Sequence, residues 1–147
     1  MSYNCRGLRT GNSAYECSRR RTLNDLLIDH QILCLQETWL TKQDLACLNI
    51  IHPNFHGVGE ATVSENDSLQ RRHPPGGVAI LWHTAVENNV VPLHLNVDWA
   101  VGIEVTMQSK RFIIINVYLP YESVDNEPLF INRLTHICSL VSSFDTT

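Results

Sequence analysis

Three side chains that could act together on a phosphate group lie at the ends of three predicted strands. Asn4 lies in SYNCRGL, Glu37 follows the run ILCLQ, and Tyr118 follows FIIINV. Ligands of open α/β sheets bind beyond the carboxyl ends of strands, so these positions suit functional residues. If the strands are neighbours in one sheet, the amide, the carboxylate and the phenol converge. They could then hold a divalent cation and orient a phosphate.

Each of these residues also has an ordinary structural explanation. The position of Glu37 alone favours a solvated residue at the start of a loop, since strand ends usually carry polar side chains. Asn4 could be a turn residue, and Tyr118 could be a core tyrosine with one hydrogen bond. Only the three residues together, with their flanking patterns, indicate a site.

The first third of the chain alternates strands and helices, which favours an α/β layered domain. Residues 8–21 are polar and Arg-rich and are predicted to form a loop. Thr22 with Asp25 three residues later is a capping signature and predicts the start of a helix. Thr41 with Asp44 repeats the pattern and predicts a second, short helix.

The remainder of the chain predicts mainly strands, followed by one helix. Strands are predicted at residues 32–35, 78–83, 90–97, 101–107 and 112–120. Pro92 indicates an edge strand, and the polar turn at 108–110 predicts an antiparallel hairpin. The run from Phe112 is apolar almost throughout, which is typical of a strand covered on both faces. The final helix is capped at Asp125 or Asn126. Its apolar face is predicted to comprise Phe130, Leu134, Ile137 and Val141.

Composition limits the class of protein. The 147 residues suit one domain, and an apolar content of 44% is ordinary for a globular protein. The net charge of −4 argues against a protein that coats nucleic acid. It does not exclude a nuclease, because metal sites need carboxylates and basic residues can be local. Two basic clusters, Arg19–Arg21 and Arg71–His73, could meet phosphates or could simply be solvated.

Cysteine and histidine usage gives no sign of a zinc site or a disulfide framework. The five cysteines are odd in number and include no C-x-x-C pair, which fits a reducing compartment. Pro53 between His52 and His56 breaks helical geometry, so these histidines are predicted to lie in a loop. No signal peptide or membrane-spanning run is apparent, so we expect an intracellular protein without membrane association, and the nucleus is one compartment that this expectation includes.

Four motifs in order resemble a known family. The segments SYNCRGLR, ILCLQETWL, PPGGVAILWH and FIIINVYLPYE are similar to the first part of the endonuclease/exonuclease/phosphatase superfamily, which includes deoxyribonuclease I. The greatest similarity is to the endonuclease domain of non-LTR retrotransposons. The resemblance covers Met1 to about Phe144. It implies a four-layer sandwich of two β-sheets flanked by helices, with residues 1–147 forming the N-terminal portion of a single domain.

The resemblance also implies roles for individual residues. Glu37 matches the metal-binding glutamate of the family's Q-E motif, and Gln36 is the neighbour that helps to orient the site or bind substrate. Asn4 matches the asparagine that places the phosphate and the metal-bound water. Tyr118 matches the tyrosine that stabilises charge on the attacked phosphate. Trp39 could stack on a base of the substrate or could pack under the second helix.

Two departures from the family's pattern qualify this prediction. Many members carry asparagine three residues after the motif tyrosine, where this chain has Tyr121. The family's G-D-x-N motif is absent, and the only Asp-His pair, Asp29–His30, lies upstream of Glu37 on the first predicted helix. The sequence therefore predicts a truncated domain with one sheet, its helices and at most the beginnings of the other. We expect its uncovered apolar surface to favour self-association.

The resemblance predicts divalent-metal-dependent hydrolysis of DNA phosphodiesters, with Mg²⁺ or Mn²⁺ as cofactor and DNA as partner of the complete domain. We expect this chain alone to be inactive, because one carboxylate without its partners cannot place a metal-activated water. Two alternatives stay open at this point. The chain could be a non-catalytic remnant of a retroelement reading frame, or it could belong to a phosphatase branch of the superfamily.

Overall fold

The chain folds into two β-sheets with helices, as the computed structural model shows. The structure describes residues 1–8, 14–61, 76–121 and 123–144, with side chains left undescribed for helical residues 14–20. The strands are β1 (Ser2–Asn4), β2 (Ile32–Gln36), β3 (Phe55–Glu60), β4 (Val78–His83), β5 (Val90–Leu93), β6 (Ala100–Met107) and β7 (Lys110–Val117). The helices are α1 (Ala14–Asp29), α2 (Glu127–Phe144) and the 3₁₀ helices η1 (Gln43–Asn49) and η2 (Thr84–Asn89).

The first sheet has four strands in the order β1-β2-β4-β3. β1 runs parallel to β2, and the other neighbouring pairs are antiparallel. One face of this sheet packs against α1 and η1. The core on that face comprises Cys5, Leu23, Leu27, Leu33, Leu35, Leu40, Leu48, Phe55, Ala79 and Leu81. Because β2 and β4 alternate their side chains between two covered faces, they read in sequence as continuous apolar runs.

The second sheet stacks on the opposite face of the first. Its order is β5-β6-β7, with both pairs antiparallel, and β5 lies at the edge as Pro92 predicts. The core between the sheets comprises Val78, Ile80, Trp82, Val86, Val101, Ile103 and Val105. The two stacked sheets and the helices confirm the predicted fold class. The second sheet is larger than expected, because it contributes three strands rather than only its beginnings.

Strand β7, at the edge of the second sheet, is only partly covered. Of the eight residues of β7 only Asn116 is buried, and Phe112 is 48% exposed. The prediction that β7 is covered on both faces is therefore wrong within the described residues. Helix α2 is also partly exposed and contains no buried residue. Self-association through this surface stays a prediction.

The exposed and half-buried faces of α2 differ from the sequence pattern. Leu134 and Val141, predicted to face the core, are 38% and 48% exposed. The half-buried side instead comprises Phe130, Arg133, His136, Ile137, Leu140 and Phe144. The helix is rotated relative to the predicted face because Arg133 and His136 both contact the Trp99 ring. The Arg133 guanidinium carbon lies 5.2 Å from the centroid of that ring, and the His136 ring centroid lies 5.6 Å from it. None of the described helices is long and apolar enough to span a membrane.

Two further elements correct the sequence prediction. Helix α1 begins at Ala14, so Thr22 lies inside the helix and is not its cap. The segment from Ala14 to Asp29 holds no glycine or proline, so nothing interrupts the helix upstream of the Leu-rich turn. His56 lies on β3 rather than in a loop, and its Nδ1 lies 2.9 Å from a Glu87 carboxylate oxygen.

Candidate functional site

Asn4 and Glu37 form a hydrogen-bonded pair at one end of the first sheet. β1 and β2 are parallel neighbours, and their register places Asn4 beside Gln36. The Asn4 Nδ2 donates to Glu37 Oε1 at 2.8 Å, and the backbone N–H of Arg6 donates to Asn4 Oδ1 at 3.2 Å. Both ends of the Asn4 amide are thus engaged, which fixes the orientation of its donor toward the carboxylate.

The backbone around Glu37 is held from both sides. On one side the N–H groups of Gly7 and Leu8 donate to the carbonyls of Glu37 and Thr38. On the other side Thr38 and Trp39 donate to carbonyls of the Gly76–Gly77 segment. Glu37 and Trp39 both have left-handed backbone conformations, with φ of 54° and 55°. These bonds bend the chain directly after β2 and place the Glu37 side chain beyond the sheet.

Gly77 permits this bend through its lack of a side chain. Its φ is +84°, and a Cβ added there would lie 2.4 Å from the Thr38 hydroxyl oxygen. Thr38 is fully buried, and its hydroxyl has no hydrogen-bond partner among the described residues. The close approach of these two residues therefore locks the start of β4 against the segment that carries Glu37.

Tyr118 reaches the same end of the molecule from the second sheet. Its N–H donates to the Trp99 carbonyl at 2.9 Å, and Arg133 Nη1 donates to its carbonyl at 2.8 Å. Burial raises the pKa of the Tyr118 phenol, and the negative charge of Glu37 raises it further, while Arg133 lowers it. The phenol therefore stays protonated at neutral pH and can donate a hydrogen bond. The negative charge of Glu37 favours this protonated form.

The structure brings Asn4 and Glu37 into direct contact, and it places Tyr118 where the charge of Glu37 acts on its phenol. Asn4 and Glu37 come from neighbouring strands of one sheet, whereas Tyr118 follows β7 of the other. The two sheets meet through the Gln36 amide, whose Nε2 donates to Asn116 Oδ1 at 2.5 Å.

Gln36 and Trp39 have different settings. The Gln36 Nε2 also donates to Ser2 Oγ at 3.0 Å, so its amide is engaged between the sheets. Trp39 is half-buried beside the site. Of the basic clusters, Arg71–His73 lies outside the described residues, and Arg21 is exposed on α1.

A polar cleft of about 490 Å³ opens where β3 ends and the β5–β6 connection passes. It is lined by Lys42, Glu60, His94, Leu95, Asn96, Val97, Asp98 and Trp99. Burial raises the pKa of the Glu60 carboxyl, and Asp98 also raises it, while Lys42 and His94 lower it. Burial lowers the pKa of the Arg133 guanidinium, and the negative charge of Asp98 raises it. Charged groups of both signs thus line this cleft.

The family model of the endonuclease/exonuclease/phosphatase family matches residues 1–140. The chain belongs to this family. A search of curated proteins gave no significant match. The match supports a chain of nuclease or phosphodiesterase type, and family members generally use divalent metals.

Glu37, oriented by Asn4, offers one carboxylate for the divalent metal that family members use. Among the described residues, no group of three or more His, Cys, Asp and Glu side chains could hold a metal ion. Glu37 receives a hydrogen bond from Asn4 on Oε1. Magnesium is often bound by one or two carboxylates with water and phosphate oxygens, so Glu37 fits as one ligand of such an ion.

Sequence reasoning missed two residues at the site. Asn116 is 4% exposed and links the sheets. A single amide inside the apolar run FIIINVY was a visible signal, because a buried amide requires partners. Arg133 contacts the Tyr118 carbonyl from α2, and nothing in its local sequence indicates this contact.

Proposed function

We propose that this member of the family supplies part of a metal-dependent phosphodiesterase site that acts on DNA, as retrotransposon-type endonucleases do. The observation that carries the proposal is the Asn4–Glu37 pair, joined at 2.8 Å, at the end of the molecule where Tyr118 emerges. The resemblance of the motifs around Glu37 and Gly77 to retrotransposon endonucleases supports DNA as the substrate over the phosphomonoesters of a phosphatase branch.

The three side chains have complementary roles in this proposal. Glu37 would hold a divalent cation such as Mg²⁺ or Mn²⁺, with water and phosphate oxygens as further ligands. When bound, the cation supplies Lewis-acid polarisation of the phosphoryl oxygen. Asn4 orients the Glu37 carboxylate through Oε1. The protonated phenol of Tyr118 donates a hydrogen bond to a phosphate oxygen as negative charge develops there.

The same proposal includes inactivity of this chain by itself. The sequence contains no G-D-x-N motif, and its only Asp-His pair lies at residues 29–30, in and directly after α1. The described site has one carboxylate and no group placed to remove a proton from an attacking water. A remnant that only binds metal is therefore the second candidate, since a single carboxylate suffices for weak binding.

The test measures metal binding and turnover in the same preparations. Manganese is added to isotope-labelled protein, and paramagnetic broadening of the Asn4, Glu37 and Tyr118 NMR signals is followed. Glu37→Gln keeps the size and removes the charge, so we expect the broadening at these residues to be lost. Glu104→Gln is the matched control, because Glu104 lies on β6 near Arg111 and away from the site.

Plasmid nicking with Mg²⁺ then separates the candidates. We expect no nicking by this chain. Nicking that Glu37→Ala abolishes would show that the chain is an active nuclease and that the inactivity proposed here is wrong. Release of phosphate from phosphomonoesters, with plasmid intact, would favour the phosphatase branch. Broadening that Glu37→Gln leaves unchanged would overturn the metal role of Glu37.

A further inference from the structure

Asn116 is a buried amide in the strand that precedes Tyr118. It is 4% exposed, while the flanking residues of β7 are half-buried and apolar. Placing an amide in such a position without partners is unfavourable, so its hydrogen bonds reveal what it does. The side-chain hydrogen bonds described for Asn116 all go to the other sheet.

The Asn116 side chain joins two strands of the first sheet to the second. Its Nδ2 donates to the Leu35 carbonyl at 2.8 Å and to the Ala79 carbonyl at 2.9 Å. Leu35 and Ala79 are register partners on β2 and β4. The Asn116 Oδ1 accepts from Gln36 Nε2 at 2.5 Å. Both donor hydrogens and the acceptor oxygen are thus used, which leaves the amide one orientation.

The position of these bonds along the chain relates them to the site. Gln36 immediately precedes Glu37, and Asn116 lies two residues before Tyr118. We propose that Asn116 is a positioning residue that sets the separation between Glu37 and Tyr118 across the two sheets. This inference deepens the proposed function, because it concerns the same two side chains.

Apolar packing alone would not fix this separation so closely. The core between the sheets consists largely of aliphatic side chains, whose attraction is non-directional and tolerates sliding. Hydrogen bonds weaken steeply when distance or angle departs from the optimum. A fully satisfied buried network therefore selects one alignment of the sheets.

The test reads the separation in the absence of metal. The negative charge of Glu37 raises the pKa of the Tyr118 phenol, so this coupling reports how close the two side chains are. The Tyr118 ring signals are titrated by NMR in wild type, Glu37→Gln, Asn116→Ala and the double variant. In wild type, Glu37→Gln should lower the Tyr118 pKa. In the Asn116→Ala background we expect this lowering to shrink by roughly half or more, since Coulomb energy falls with distance.

Two variants guard against effects of stability or folding. Ile103→Val removes a methyl group from the same inter-sheet core without touching the amide network, and it should leave the coupling unchanged. Gln36→Ala removes only the half-buried partner and leaves the two carbonyl bonds of Asn116. It should reduce the coupling in a protein that folds, so it decides the question if Asn116→Ala does not fold.

The outcomes separate this inference from the proposed function. An unchanged coupling in folded Asn116→Ala, or in Gln36→Ala if the former does not fold, would overturn the positioning role. A reduced coupling equal to that of Ile103→Val would also overturn it, because general loosening would then suffice. If Asn116→Ala loses the coupling between Glu37 and Tyr118 and the wild-type protein does not bind manganese, the positioning role is supported and the proposed function is contradicted.

Discussion

The two sheets of this protein are packed very differently, although each supplies part of the candidate site. Five of the six residues of β4 are buried, whereas one of the eight residues of β7 is. Glu37 therefore follows a strand within a sheet that is covered on both faces. Tyr118 follows a strand that is covered mainly on one. A site assembled from unequal parts needs a specific link between them, which the amides of Gln36 and Asn116 supply.

The largest expected effect comes from the core of the first sheet. Leu81 is fully buried between β2, β3 and the helices, so Leu81→Ala should lower the free energy of unfolding by about 2–5 kcal/mol. Ile115 on β7 is half-buried, so Ile115→Ala should cost only about 1–2 kcal/mol. Urea unfolding of both variants measures the difference. Equal losses would contradict the contrast between the sheets.

The next effect contrasts Gly77, directly before β4 of the first sheet, with Gly102 on β6 of the second. Gly77→Ala forces a left-handed alanine and a clash with Thr38, so we expect a loss of about 1–3 kcal/mol and a displaced Glu37. The control is Gly102→Ala on β6, where an added Cβ would meet only flexible leucine side chains at 3.3 Å or more. It should change stability by less than about 1 kcal/mol. Thermal or urea unfolding of the pair tests this ranking.

A smaller effect is expected where α2 joins the second sheet. Arg133→Ala removes the bond to the Tyr118 carbonyl and the contact over Trp99. Because the guanidinium is only partly buried, we expect a loss of about 1 kcal/mol. Amide hydrogen exchange should speed up in α2 and stay unchanged in β4. Arg133→Lys keeps the charge but loses the planar stacking on Trp99, so its loss of stability should lie between those of wild type and Arg133→Ala. Uniform acceleration in both elements would show that α2 is not a separate local unit.

The smallest effect is a dependence of stability on alkaline pH. The folded pKa of Tyr118 is raised above its ordinary value of 10.0, so the unfolded chain ionises this phenol first. Its contribution is fully present below about pH 10 and is lost as the pH rises through the folded pKa. Tyr118→Phe should remove this component from the pH profile of unfolding. Parallel profiles of wild type and Tyr118→Phe at alkaline pH would contradict the shift.

The sequence predicted those parts of the fold whose pattern is local. The apolar runs of β2 and β4, the β6–β7 hairpin and the edge position of β5 all follow from periodicity and turn residues. Strand β3 was missed because Gly57 and Gly59 give it a poor strand pattern. The structure explains those glycines, because a Cβ at Gly57 would lie 2.4 Å from a Leu81 methyl group. At Gly59 it would lie 2.8 Å from the Val78 carbonyl oxygen.

The candidate site was predictable by residue type but not by geometry. Asn4, Glu37 and Tyr118 stood out as polar groups after apolar runs, whereas their division between two sheets depended on non-local pairing. The rotation of α2 was missed for the same reason, since Arg133 and His136 face Trp99 from far along the chain. Whether these residues act as a site stays a prediction.

The left-handed backbone at Glu37 has a consequence for how this protein tolerates substitution. A non-glycine residue with φ of 54° sits in a conformation that glycine adopts with far less strain. Glu37→Gly should therefore be neutral or stabilising for folding, while it removes the one carboxylate that the described residues give the candidate site. Selection for stability alone, for instance in a display library, would drive this position away from glutamate. At residue 37, the side chain that would give the most stable fold therefore differs from the side chain that the candidate site needs.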